Sequence, residues 1–92
     1  MSQNNYLTIQ TTISDIEEKR DKNLNPYFKI TANYQIFYAF SYNLSDTTWQ
    51  TLTESPHKLV NQATVITYEE LPNKDNQGTF YRVKAIELLK EF

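Results

Sequence analysis

The chain has no cysteine, which excludes disulfides and thiolate metal sites. Its one histidine, His57, has no second imidazole to work with. That argues against a histidine-based metal site or a conventional nucleophilic triad. No apolar run approaches the roughly 20 residues needed to cross a bilayer. The N-terminal MSQNNYLTIQ lacks the basic and apolar regions of a signal peptide, so a soluble, cytoplasmic protein is expected. An excess of either charge is missing too: the formal net charge is -2 and the pI about 5.3. Phosphate neutralisation supplies most of the affinity of nucleic-acid binders, so this balance speaks mildly against one. Glycine is nearly absent, with Gly78 alone. Asparagine is abundant, and it tolerates positive φ better than other residues with side chains. The 92 residues suffice for one small domain, spanning 1–92 with its core in about 6–89.

What is plentiful is aromatic and β-branched. The segment PYFKITANYQIFYAFSY, from Pro26 to Tyr42, holds more than half of the chain's rings. Alternation within it predicts two strands. In Pro26 to Ala32, Phe28, Ile30 and Ala32 share the core face, opposite Tyr27, Lys29 and Thr31. Asn33-Tyr34-Gln35 turns the chain. In Ile36 to Tyr42, the core face is assigned to Ile36, Tyr38, Phe40 and Tyr42, and the outward face to Phe37, Ala39 and Ser41; a slip of one residue would exchange the faces and put Tyr38 and Phe40 in place of Phe37. The two strands are close enough in sequence to form a hairpin.

Residues 6–18 open as a strand, with Leu7, Ile9, Thr11 and Ile13 alternating with polar residues. The next apolar residue is Ile16, three places on, so a β-bulge is expected there. A helix start capped by Ser14 with Glu17 is the alternative. Asp46 is a candidate N-cap, with Trp49 and Leu52 on one side of a short helix. Ser55-Pro56 repeats the start signal, so residues 46–61 are expected to be two short helical pieces meeting at Pro56. Ala63 to Glu70 reads as a fourth strand, 71–78 as a loop, and Thr79 to Leu89 as a fifth strand. Val83 and Ile86 stand three apart, which again suggests a bulge; a frayed helical end at LLKEF is the alternative.

The order β-β-β-α-β-β, with long, bent first and last strands, suits a closed five-stranded barrel. Here the chain resembles the oligonucleotide/oligosaccharide-binding (OB) fold over about residues 6–89. The resemblance is carried by ISDIEEK, KNLNPYFKIT, the helix before strand four and GTFYRVKAIELL. KNLNPYFKIT is similar to the Lys-Asn-Gly-x-Pro-Tyr segments that open the second strand in many OB domains, with Leu24 where a glycine is common. The glycine often found in mid-strand one is missing.

No catalytic constellation stands out. Glu17-Glu18 and Glu69-Glu70 are adjacent strand residues, so each pair splits between opposite faces and is expected to be solvated. No phosphate-cradling glycine loop is present. The chain is expected to be no enzyme and to need no cofactor or metal. The resemblance implies a groove on strands two and three, flanked by the first loop and the loop between strands four and five. It offers Tyr27, Lys29 and Phe37 from the strands and Tyr34 from the hairpin tip. Lys19, Arg20 and Lys22 come from the first loop, and Lys74 from the later one. Rings would stack on bases and cations would meet phosphates. Single-stranded DNA is favoured over RNA, with little sequence preference, in a replication, recombination or mobile-element setting. A homo-oligomer or several copies on one strand would lengthen a short site. The alternatives are an OB-like module that binds another protein, as assembly subunit or inhibitor, or a Src-homology-3-like peptide-binding barrel. Trp49 is expected to pack on the barrel end rather than stack on bases.

Overall fold

The structure, a computed structural model, describes residues 6–73 and 78–89. Among these residues the elements are β1 (Leu7–Arg20), β2 (Pro26–Ala32), β3 (Gln35–Phe40), α1 (Asp46–Glu54), a 3-10 turn (Pro56–Lys58), β4 (Ala63–Pro72) and β5 (Thr79–Leu88). The strands close into a barrel in the order β1-β2-β3-β5-β4. Every pairing is antiparallel except β3 with β5, which is parallel.

Both expected bulges are present. Ile13 pairs with Ala32 and Asp15 with Thr31, so Ser14 is the extra residue. Its hydroxyl donates to the Thr31 carbonyl at 3.0 Å. The bulge is where β1 changes partner: Leu7 to Thr12 pair with β4, and Ile13 to Arg20 with β2. One bent strand therefore serves two sides of the barrel, the geometry that closure requires. In β5 the extra residue is Lys84, between Ala85 opposite Thr67 and Val83 opposite Tyr68. The alternative of a helix from Ser14 is not adopted; of LLKEF, Leu88 is the last residue of β5, and 90–92 lie outside the described residues.

Lys84 is also where the helix is tied down. The Ser45 N–H donates to the Lys84 carbonyl at 2.9 Å. The N-cap of α1 is Ser45, one residue before the expected Asp46, which instead lies in the first turn. The Ser45 hydroxyl accepts from the Thr48 N–H at 3.4 Å and donates to Thr48 Oγ1 at 2.9 Å. Thr48 Oγ1 in turn accepts from the Ile86 N–H at 3.0 Å. Thr48 is buried, and this network satisfies it. Leu52 then seals the barrel end, and Trp49 meets Phe28 edge-on, with centroids 5.5 Å apart. The core continues through Ile13, Ile30, Phe37, Ile66 and Val83.

The shortage of glycine shows in the backbone. Gly78 has φ of 81°, but Leu24, Asn33, Tyr34 and Asn61 also adopt left-handed conformations among the described residues. Asparagine fills two of these positions, as expected. Leu24, with φ of 67° and 72% of its surface exposed, gains little burial for a conformation that costs about 1–2 kcal/mol in residues with a Cβ. Leu24→Gly is expected to stabilise the protein by about 0.5 kcal/mol, after the greater freedom of glycine in the unfolded chain is subtracted. Urea unfolding checks it: the midpoint should rise with an unchanged slope.

Candidate nucleic-acid interface

The hairpin turn decides which rings face outward. It contains two residues, Asn33 and Tyr34, both with positive φ, the conformation that follows the right-handed twist of paired strands. Ala32 therefore pairs with Gln35, Ile30 with Phe37 and Phe28 with Ala39. Paired residues share a face, so Phe37 and Ala39 join the core. The expected three-residue turn would have placed Ile36 opposite Ala32 and exchanged the faces of β3.

Phe37 is accordingly not a surface residue. It is 0% exposed and packs against Tyr68 and Tyr81, with centroids 5.2 and 5.5 Å away. Tyr38 and Phe40, assigned to the core from the sequence, lie on the outer face instead, half-buried. Tyr42, past the end of β3, is 77% exposed.

The outward rings form a continuous array. Tyr38 and Phe40 are near-parallel with centroids 6.4 Å apart, and Phe40 and Tyr42 at 5.6 Å. Tyr27 joins from β2, 5.5 Å from Phe40 and 6.3 Å from Tyr38. Phe80 joins from β5, 6.4 Å from Tyr38. Three hollows run along this array, neighbouring ones sharing lining residues. One of about 260 Å³ lies between Tyr42, Ser41 and the Asp21–Asn25 turn. The next, about 430 Å³, lies over Tyr27, Phe40, Tyr38 and Phe80. The last, about 380 Å³, is bounded by Tyr34, Ile36, Tyr38 and Thr79. Tyr34, fully exposed at the hairpin tip, stands at that far end.

Register sets the charges in a row across the face. Glu17 pairs with Lys29, Lys29 with Tyr38, Tyr38 with Arg82, and Arg82 with Glu69. Lys19 pairs with Tyr27, which pairs with Phe40. Two cations thus flank Tyr38, each with an acid on its far side. Lys19 reaches Glu17 at 3.7 Å, both exposed. Arg20 turns away, donating to the Leu24 carbonyl at 3.0 Å and meeting Glu18 at 3.4 Å. Lys22 is exposed in the turn, and Lys29 forms no ion pair among the described residues. Lys74 lies outside the described residues. Glu69 departs from the expected solvated carboxylate: it is buried against Arg82, whereas Glu70 is exposed and accepts from Thr79 at 3.0 Å.

The first loop is held by Asp21. Its Oδ1 accepts from the Asn23 and Asn25 N–H groups at 2.8 and 2.9 Å. The Asn25 N–H, aided by that of Asn23, holds the Asp21 carboxyl below the usual carboxylate range. An ionised acid therefore borders the groove next to Tyr27.

Tyr38 and Phe40 stood for the site in the sequence only as the alternative to Phe37, and Tyr42, Phe80 and Arg82 were not singled out for it. The signal for the first two was present: Asn33-Tyr34 suits a two-residue turn, and such a turn puts them outside once Phe28 and Ile30 are inside.

A similar solved structure is that of the mitochondrial single-stranded DNA binding protein Rim1 from S. cerevisiae. The two are 19% identical, with a TM-score of 0.67, and the match covers 98% of this chain and 100% of that one. No family model matches the sequence, and no curated protein does. With the strand order and the helix after β3, this likeness shows that the fold is the OB fold.

Proposed function

We propose that this chain binds single-stranded nucleic acid, DNA ahead of RNA, with little sequence preference. The observation that carries the reading is the array of outward rings, Tyr27, Tyr38, Phe40, Tyr42 and Phe80, along a row of adjoining hollows. Every base has a π-face, so such a floor takes successive bases without reading their edges. Tyr34 would extend the track at the hairpin tip. Lys29, Lys22 and Lys19 would meet phosphates along its β1–β2 side. The preference for DNA rests on the likeness to Rim1, a single-stranded DNA binding protein.

Fluorescence anisotropy of labelled oligo-dT tests the reading at several salt concentrations. Binding is expected in low salt, with log K falling against log salt no more steeply than a slope of roughly -2, the limit if those three lysines each neutralise one phosphate. Oligo-U in the same assay ranks RNA against DNA. No binding of either at about 50 µM protein in low salt would overturn the reading, since even non-specific binders reach that range.

One observation favours a second reading. The cations Lys19 and Arg82 are each paired with an acid on the same face, Glu17 and Glu69. Rings combined with few free charges characterise the centre of protein interfaces. A negative result with both oligonucleotides would direct the assignment to a protein-binding OB module.

A further inference from the structure

Arginine is the side chain best shaped for phosphate, because its planar fork offers paired donors to an oxyanion. Arg82 lies beside the array of rings, paired with Tyr38 across β3 and β5, and its fork is already engaged. Its Nε and Nη2 both donate to Oε1 of Glu69, at 2.8 and 2.6 Å. This is no rim pair. Glu69 is 8% exposed, and an ion pair drawn out of water is screened little by salt. Burial opposes the charge on Arg82, yet hydrogen bonds to Glu69 and Tyr42 outweigh it and hold the guanidinium pKa above the ordinary arginine value. The Arg82 Cζ also lies 5.9 Å from the centre of the Tyr42 ring. Lys29, on the other side of Tyr38, carries its charge with no acid bound to it among the described residues.

We propose that Glu69 withholds Arg82 from the phosphate backbone. A strand on this floor would then run its phosphates past Lys29 and lay its bases toward Phe80 and Tyr42. Glu69 is in this sense a specificity-determining residue: its charge sets how much of the binding is electrostatic and on which side of Tyr38 the backbone lies. The inference rests on the nucleic-acid reading above.

The test is the salt dependence of oligo-dT binding in four proteins: wild type, Glu69→Gln, Arg82→Gln and the double variant. Glu69→Gln keeps the shape of the side chain and removes the charge that competes with phosphate. It is expected to steepen the slope of log K against log salt by roughly 0.7, the increment for one added contact on a single strand. The double variant is expected to return to the wild-type slope, because the added contact is Arg82. It leaves no buried charge unpaired, so it reads the proposal even if a single variant does not fold. An unchanged slope in Glu69→Gln would overturn the proposal. So would a shallower slope in Arg82→Gln or in the double variant, since Arg82 would then already touch phosphate in the wild type. If the wild type fails to bind, the nucleic-acid reading falls and takes this one with it. If the wild type binds and the slopes are equal, only the role of Glu69 falls.

Discussion

Phe37→Ala is expected to destabilise the fold strongly rather than to weaken ligand binding selectively. Phe37 is among the largest fully buried side chains, and its ring meets Tyr68 edge-on and Tyr81 at a tilt. It sits on β3 at the short parallel pairing with β5, opposite Tyr81. Truncating a buried phenylalanine costs about 3–5 kcal/mol, made up of lost transfer energy and the cavity left behind. A domain of this size holds a total of about 5–15 kcal/mol, so the loss is a large fraction of what is available. Thermal melting should show a drop of more than about 10 °C. Phe37→Leu should lose far less, because most of the volume remains. If Phe37→Ala melts within about 2 °C of the wild type, the assignment of the outer and inner faces of β3 is wrong, and with it the identity of the stacking rings.

The fold was legible because its irregularities were. The three-residue steps from Ile13 to Ile16 and from Val83 to Ile86 marked both bulges, and the bulges make the barrel close. Ser55-Pro56 marked the break between α1 and the 3-10 turn. Phe28 and Ile30 were correctly read as core. The site was less legible for one reason of geometry. In a strand where both faces carry large rings, alternation separates the faces but does not say which is inside. The length of the hairpin turn breaks that symmetry, and one residue of error there moves Phe37 in and Tyr38 and Phe40 out. Phe80 and Arg82 enter the site only through the β3–β5 pairing, which joins residues more than 40 positions apart in sequence. No local pattern reports such a contact. Glu69 is hidden for a different reason: its burial depends on which side chain the register of β4 with β5 sets across from it.

Tyr38→Ala is expected to weaken oligo-dT binding by about 1–3 kcal/mol, or roughly 5- to 150-fold, while the protein stays folded. Tyr38 is the hub of the array: Tyr27, Phe40 and Phe80 all lie against it, and it borders two of the three hollows. Its removal interrupts the floor at the centre, where a base would be covered on both sides. The ring is half-buried on the outer face, so little core packing is lost. Tyr38→Phe should bind nearly as well as the wild type, because stacking needs the ring and not the hydroxyl. Phe40→Ala should show a loss of similar size, since it bridges Tyr27, Tyr38 and Tyr42. The salt slope should be the same in all three variants, because none removes a cation. Anisotropy titration at two salt concentrations, with a melting curve for each variant, separates the outcomes. Wild-type affinity in Tyr38→Ala and Phe40→Ala would sink the stacking mechanism even if the protein binds DNA, and would leave the lysines of the β1–β2 side to account for binding. A loss of affinity with an unchanged slope is what a floor of rings produces and a patch of cations does not.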